Sequence, residues 1–206
     1  MNLENRLAYR DDTGVSGQKP SDEALWAQDD DAGFERLVRR YEPRLFNYAR
    51  RILGSAADAE DVFQETFLRV YAHRRRFRAG ALFRPWVYRI ATNLCRDVLR
   101  KRKRRPTISL DAPGAGDSDS RGLGERMASG APTPAEAAVG SETQARLASA
   151  VEALPLKQRT VFVMARYDEL PYAEIARTLR IPVGTVKSRM NAAVNKLMDA
   201  IDEEKE

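Results

Sequence analysis

The chain has 206 residues, of which 43% are hydrophobic and 32% are charged, values typical of a globular protein with one or two folded domains. Cys95 is the only cysteine and His73 the only histidine, which excludes intrachain disulfide bonds, zinc fingers and nearly every metal site built from these residues. No apolar run approaches the roughly 18 residues of a membrane-spanning helix, and none follows Met1 as a signal peptide would. We therefore expect a cytoplasmic protein without a metal or other cofactor.

The positive charge is concentrated in one segment of the chain. Residues 73–105 hold 13 basic side chains and one acidic side chain, whereas the whole protein has a net charge of only +5. A basic block of this kind is typical of nucleic-acid-binding proteins. A solvated basic helix or a basic tail would have the same composition, so charge alone leaves both interpretations open.

The first predicted helices follow a polar N-terminal segment. Residues 1–20 lack an apolar pattern and are predicted to form a disordered extension. A helical pattern begins at Ser21, and apolar residues recur every three or four positions over 34–53. We expect Pro43 to interrupt this helix and Gly54 to end it as a C-cap.

Two further helices are predicted before a long linker. Ser55 is a suitable N-cap for the second helix, and the polar segment 74–83 is predicted to be a loop. A third helix begins near Pro85, where a proline in the first turn is tolerated, and extends into the basic run that Pro106 closes.

The rest of the chain is predicted to be a linker followed by four helices. Residues 106–140 are rich in Gly, Ser, Pro and Asp, a composition typical of a flexible linker. Prolines then separate helices at about 141–153, 156–167, 171–179 and 183–201. No alternating strand pattern occurs. The sequence therefore predicts an all-α protein with two helical domains, residues 21–105 and 141–206, joined by this linker.

The segment 170–190 predicts a helix-turn-helix motif. Ala176 supplies the small residue needed where two helices cross closely, and the turn falls at 180–182. The second helix of such a motif enters the DNA major groove, where Arg and Lys donate to guanine and Asn binds adenine. A plain helical hairpin is the alternative. The candidate DNA-contacting residues are Thr185, Lys187, Ser188, Arg189 and Asn191.

Aromatic residues lie among the arginines of the basic block. Aromatic rings beside a positive groove stack on single-stranded bases, and Phe77, in the predicted loop, is the better candidate for exposure. Trp86 begins an apolar stripe, so it is also a candidate core residue. The polar face predicted for the following helix contains Arg89, Thr92, Asn93, Arg96, Asp97 and Arg100.

The predicted helix that precedes the basic block carries an acidic face. Asp61, Gln64 and Glu65 are predicted to lie opposite Val62 and Phe67. Paired carboxylates at this spacing fit acid–base or metal chemistry, an ordinary solvated face, or a site for a protein partner. The residues alone do not decide among these three.

Together these segments resemble the extracytoplasmic-function (ECF) subgroup of bacterial sigma-70-type transcription initiation factors. The resemblance implies two helical domains, called sigma-2 and sigma-4, without the middle domain of housekeeping sigma factors. It covers about 22–105 and 141–198. The similar segments are Phe34–Gly54, Asp58–Tyr71, Phe77, Trp86–Asn93, Leu154–Phe162 and Val183–Arg189.

The resemblance implies a role for each segment. The helix with Asp61, Gln64 and Glu65 is similar to the one that docks on core RNA polymerase. The helix 183–196 is similar to the one that reads the minus-thirty-five promoter element. An anti-sigma factor is implied as a further partner. The residues implied to melt and read the minus-ten element are Phe77, Trp86, Arg89, Asn93, Arg96 and Arg100.

Two other classes of function are alternatives to a promoter-specificity subunit that has no catalysis of its own. A stand-alone helix-turn-helix regulator would need a dimer interface or a ligand pocket, and it leaves the acidic helix unexplained. A metal-dependent nuclease would use Asp58, Asp61 and Glu65, but the chain lacks a Gly-rich phosphate loop and a second acidic cluster. The sequence therefore favours the promoter-specificity subunit.

Overall fold

The computed structural model describes residues 20–28, 30–74, 82–104 and 146–202, and within these ranges every regular element is a helix. The predicted all-α fold is confirmed. The predicted N-terminal extension up to residue 19 and the predicted linker lie outside the described residues, as does Phe77. The helices are α1 (Asp22–Ala27), α2 (Asp31–Leu53), α3 (Ala56–Ala72), α4 (Phe83–Arg104), α5 (146–153), α6 (Leu156–Arg166), α7 (Tyr172–Leu179) and α8 (Val183–Asp202).

Short polar side chains start the first three helices. The Ser21, Asp30 and Ser55 side chains accept hydrogen bonds from the backbone N–H groups of Ala24, Gly33 and Asp58, respectively, and so pair donors that a helix start leaves unpaired. The Asp30 cap separates α1 from α2, a break that the apolar pattern did not predict.

Helix α2 is continuous, so the predicted interruption at Pro43 is wrong. A proline removes one backbone hydrogen bond, but Pro43 is exposed, whereas Tyr41 and Leu45 beside it are buried. Packing of the apolar face therefore holds the helix together through the proline. Gly54 ends α2 in the left-handed region, at φ 68°, as predicted.

Aromatic side chains fill the core of the N-terminal module, which we define as α1–α4. Tyr48 on α2 and Tyr88 on α4 are fully buried and meet edge to face, with ring centroids 5.4 Å apart. A second cluster joins Trp26, Phe83 and Trp86, with Trp86 5.6 Å from Trp26 and 6.0 Å from Phe83. Trp86 therefore supports the fold, the alternative that the sequence had left open for it.

The C-terminal module, α5–α8, contains the predicted helix-turn-helix. Helices α7 and α8 are joined by the turn 180–182, where the Ile181 N–H donates to the Ala176 carbonyl at 3.0 Å. Arg180 adopts a left-handed conformation in this turn, at φ 54°. Ile175 and Val186 are fully buried between the two helices, as the motif requires.

The two modules pack against each other, which the sequence did not predict. Helix α4 contacts α7, and α2 contacts α6. None of the helices in the described part of the chain has the length and apolarity that crossing a bilayer requires. The contact between modules determines which side chains of α4 are accessible.

Candidate nucleic-acid and protein interfaces

The predicted acidic face of α3 is open to solvent. Asp61 and Gln64 are exposed, and 44% of the Glu65 side chain is accessible. Glu65 accepts a hydrogen bond from Arg69 Nε at 2.7 Å. Leu68 continues the same face one turn further and is 65% exposed. Sequence analysis missed Leu68, although its position seven residues after Asp61 places it on this side of the helix.

The carboxylates of α3 do not assemble into a catalytic cluster. Asp58 pairs with Arg102 on α4, and Arg102 Nη1 also donates to the Leu53 carbonyl at the end of α2, at 2.8 Å. Arg102 therefore links α4 to α3, through Asp58, and to the end of α2. Among the described residues, no group of three His, Cys, Asp or Glu side chains is arranged to hold a metal.

Four of the predicted DNA-contacting residues share one side of α4, which we call the α4 basic face: Arg89, Asn93, Arg96 and Arg100. Asn93 and Arg100 are exposed, and the other two are half-buried. Arg96 Nη1 donates to Asn93 Oδ1 at 3.4 Å. Asp97 pairs with Arg100 at 3.2 Å, so the single acid of this helix is already engaged by a neighbouring arginine.

Thr92 is not on the polar face, contrary to the prediction. It is 2% exposed, its hydroxyl donates to the Tyr88 carbonyl at 2.7 Å, and it is hydrogen-bonded to the Tyr48 hydroxyl at 2.8 Å. A short hydroxyl side chain can be buried when both its donor and its acceptor are paired. Thr92 therefore anchors α4 to α2 at the edge of the basic face.

The five predicted residues of α8 spread over a wide solvent-facing arc. Lys187, Ser188 and Asn191 are exposed, whereas Thr185 and Arg189 are half-buried. At about 100° per residue, Lys187 and Arg189 mark the two ends of an arc of about 200°, with Ser188 in its middle. A Cβ placed on Gly184 would meet no atom within 4 Å, so this position at the start of α8 faces open space.

The α4 basic face is turned toward the C-terminal module. Arg89, Thr92, Asn93 and Arg96 form one wall of a cleft of about 420 Å³, and Thr178, Leu179 and Arg180 form the other wall. Burial and the charge of Arg180 lower the pKa of Arg89. The structure therefore brings predicted minus-ten residues next to the helix-turn-helix.

An acidic residue that sequence analysis missed lies at the same interface. Tyr88 of α4 is hydrogen-bonded to Asp168, in the loop before α7, and Asp168 Oδ2 is buried without a partner among the described residues. Burial raises the pKa of Asp168 to about 7, although the Tyr88 hydrogen bond and the charges of Arg51, Arg44 and Arg84 act against this rise. No local pattern marks such a residue, because its burial depends on the opposite module.

Both modules match models of one class of transcription factor. Residues 37–105 match sigma-70 region 2, and residues 144–197 match sigma-70 region 4. The fold and the helix-turn-helix thus define a two-module sigma factor of the sigma-70 type.

Individual relatives identify the subgroup of sigma-70-type factors to which the chain belongs. The chain is 39% identical over 162 residues to the ECF RNA polymerase sigma factor SigW of Bacillus subtilis (strain 168), covering 79% of this chain and 85% of that protein. It is 34% identical to the ECF RNA polymerase sigma factor SigE of Mycolicibacterium smegmatis, covering 81% of this chain and 60% of that protein. The chain belongs to the ECF family of RNA polymerase sigma factors.

A solved structure shares the fold of this chain. It is that of CnrH in complex with the cytosolic domain of CnrY, with a TM-score of 0.65 and 25% identity, covering 88% of this chain and 97% of that one. The similarity extends over both modules.

Proposed function

We propose that this sigma factor binds core RNA polymerase through the acidic face of α3 and reads the two promoter elements with α4 and α8. The observation that carries the proposal is that separate helices of one chain carry an acidic face and two basic faces. The acidic face has an exposed leucine at its end, a combination that suits a protein partner better than DNA.

The α4 basic face is proposed to contact the minus-ten element. Three guanidinium groups and an exposed amide can bind phosphates and a base edge. Phe77, which lies outside the described residues, is proposed to stack on an unpaired base, and Trp86 to support the helix from the aromatic core. Asn93 is the residue of this face best placed for a base, because it is exposed next to Arg96.

Helix α8 is proposed to read the minus-thirty-five element in the major groove. Ser188 and Asn191 occupy the middle of its solvent-facing arc, and Lys187 and Arg189 flank them. The Ser188 hydroxyl donates to the Thr185 carbonyl at 3.1 Å, which leaves the hydroxyl oxygen as an acceptor. Flanking cations on both sides suit the two phosphate backbones that border a groove.

We infer that the chain has no catalysis of its own and acts in the cytoplasm, where its polymerase works. The family consists of transcription initiation factors, and Asp58, the first carboxylate of the nuclease hypothesis, is engaged by Arg102. We also propose an anti-sigma partner for this chain, because a protein of the same fold, the sigma factor RpoE from Bartonella quintana, was solved in complex with the anti-sigma factor NepR.

Charge reversal of α3 tests the proposed docking face. The double variant Asp61→Lys, Glu65→Lys should lose binding to core polymerase, because both residues are accessible and neither is part of the core. Substitutions at such positions change the free energy of unfolding by about 0.5 kcal/mol each, so the fold should persist. Polymerase co-purification measures the binding, and circular dichroism verifies the fold.

A charge-matched control separates docking from net charge. Glu42→Lys combined with Asp199→Lys introduces the same change at two exposed positions on α2 and α8, and we expect it to bind polymerase normally. Normal co-purification of the folded α3 double variant would refute the proposed docking face.

A further inference from the structure

Partly buried arginines at two contacts between helices each have a partner within the chain. The Arg84 guanidinium pairs with both carboxylate oxygens of Glu174, at 2.6 and 3.0 Å. The Arg51 guanidinium lies 4.0 Å from the centroid of the Tyr167 ring, a cation–π geometry. A partly buried cation is costly without such a partner, and here the chain itself supplies one.

Three arginines that line the cleft between α4 and the end of α7 differ in this respect. Arg89 and Arg96 lie on one wall and Arg180 on the other, and none of the residues that line the cleft is acidic. In the described part of the chain, none of the three forms an ion pair. Burial, and after it the positive charge of Arg180, lowers the pKa of Arg89, so these like charges lie close enough to repel each other.

Polar groups that suit a phosphate lie beside these cations. Thr178, on the Arg180 wall, is 1% exposed, and its hydroxyl oxygen has no hydrogen-bond partner within the described ranges. Asn93, on the opposite wall, is exposed and accepts a hydrogen bond from Arg96 at 3.4 Å through Oδ1, which leaves its amide NH₂ group as a donor. Guanidinium, hydroxyl and amide donors are the groups with which proteins bind phosphate oxygens.

Arg180 occupies a backbone position that does not favour an arginine. Its φ of 54° lies in the left-handed region, which glycine and asparagine adopt most readily at the end of a helix. The Arg180 side chain is exposed, so the core does not require it. The fold thus requires the turn at this position but not the guanidinium, which indicates a separate use for the charge.

The size of the cleft limits the anion that fits it. Its volume of about 420 Å³ lies within the range of roughly 300–1,000 Å³ that is typical of small-molecule sites. Duplex DNA, whose major groove alone is about 12 Å wide, is too large to enter this space. A diphosphate or triphosphate is compact, and it carries several negative charges that can balance three arginines.

We propose that this cleft is a binding site for a compact polyphosphate anion, either inorganic polyphosphate or the phosphate chain of a nucleotide. Arg89 and Arg96 bind the anion from α4, Arg180 binds it from the opposite wall, and the Thr178 hydroxyl donates to a phosphate oxygen. Thr178 and Arg180 belong to neither of the proposed DNA-reading faces, so the site goes beyond the proposed function.

Isothermal titration calorimetry of the free full-length protein tests the site. Sodium triphosphate and ATP are separate titrants, and sulfate is the control for a single small anion, all at the same ionic strength and without magnesium. We expect one triphosphate per chain and sulfate binding that is at least about tenfold weaker, because sulfate engages fewer of the arginines. Tighter binding of ATP would identify the ligand as a nucleotide, and tighter binding of triphosphate would identify it as inorganic polyphosphate.

Substitutions on both walls, with a matched control, locate the anion. Arg180→Ala and Arg89→Ala should each weaken triphosphate binding at least about tenfold, because each variant loses a charge-assisted hydrogen bond to phosphate. Arg177→Ala removes another exposed arginine of α7, one that does not line the cleft, and it should change the affinity less than about twofold. Circular dichroism verifies the fold of all three variants.

The outcomes separate a built site from general attraction between opposite charges. Equal affinities for sulfate and triphosphate would overturn the site, and so would equal losses in Arg177→Ala and Arg180→Ala, since binding would then follow net charge. A loss in only one of the two wall variants would overturn binding between the walls. The titrations contain neither polymerase nor promoter DNA, so failure of the proposed docking face would leave their results unaffected.

Discussion

The two helices proposed to read DNA, α4 and α8, differ in what lies in front of them. The middle of the α8 arc faces solvent, and Gly184 at its start has open space around it. The basic face of α4 instead lines a cleft whose opposite wall is the end of α7 and Arg180. The α8 arc thus faces open solvent, whereas the α4 basic face lies beside the opposite module, with Asn93 and Arg100 still exposed.

The helices also differ in how their buried sides are held. On α4, Thr92 adds hydrogen bonds to Tyr48 and to the Tyr88 carbonyl beside the buried apolar Val87 and Ala91. Behind α8, the fully or nearly fully buried side chains are the apolar Val186, Ala193 and Leu197. Directional hydrogen bonds fix the rotation of a helix more strictly than apolar contacts do, which suits a helix that must present one amide to one base.

The largest expected effect concerns melting by α4. Asn93→Ala should reduce transcription from duplex promoters about tenfold or more, since loss of one base contact costs about 1–3 kcal/mol. A template whose minus-ten region is already unpaired should be far less affected, because unstacking of the base then costs little. Phe77→Ala should behave similarly. Run-off transcription on matched duplex and pre-opened templates measures both variants.

Asn191→Ala on α8 is the matched control for this comparison. It removes an equally exposed amide, and it should lower transcription from duplex and pre-opened templates by the same factor. Equal losses for Asn93→Ala on both templates would place Asn93 in polymerase docking or in the fold. Wild-type rates on duplex templates would refute its role in melting.

A comparable effect on a single base contact is expected within α8, where two cations flank the arc. Arg189→Ala should cost about 1–3 kcal/mol and relax the preference at one base pair if Arg189 reads a base edge. Lys187→Ala should weaken binding evenly if Lys187 meets a phosphate. Saturation mutagenesis of the minus-thirty-five element, read by transcription output, distinguishes the two. An even loss at every position in both variants would mean that neither residue reads sequence.

The smallest effect is a pH dependence of module closure. Asp168 has a pKa of about 7 in the closed form because it is buried, whereas an exposed aspartate has one of about 3.9. The closed form therefore binds more protons, and its stability, complete below about pH 4, falls as pH rises through 7, by at most about tenfold per pH unit. The groups facing Asp168 are Tyr88 and Arg84 of α4 and Arg44 and Arg51 of α2.

Fluorophores attached at Ala57→Cys on α3 and Asn195→Cys on α8, both exposed positions, report the distance between the modules from pH 5 to 8. The open fraction, in which the two modules are separated, should rise with pH in the native sequence. Asp168→Asn keeps the shape and cannot ionise, so its open fraction should stay nearly constant and low. A native open fraction that does not change with pH, or one that changes equally in Asp168→Asn, would exclude Asp168 as the responsible group.

The sequence alone determined the helices and the residue types that they expose. Gly54 and Ser55 were identified as caps from local rules, and the turn 180–182 was placed from Ala176 and Pro182. Caps, turns and helical periodicity depend on neighbours within about four residues, so the sequence alone predicts them. The exposed positions Asp61, Asn93 and Lys187 could be predicted for the same reason.

Only the tertiary structure decided which polar residues are buried and how the modules meet. Thr92 lies at the edge of a helical face, and its burial depends on Tyr48, 44 residues earlier. The Arg84–Glu174 pair joins residues 90 positions apart. Such contacts become strong where a partner surface excludes water from them, and no pattern within one helix specifies which surface that will be. The access of α4 to DNA is therefore a property of the assembled fold.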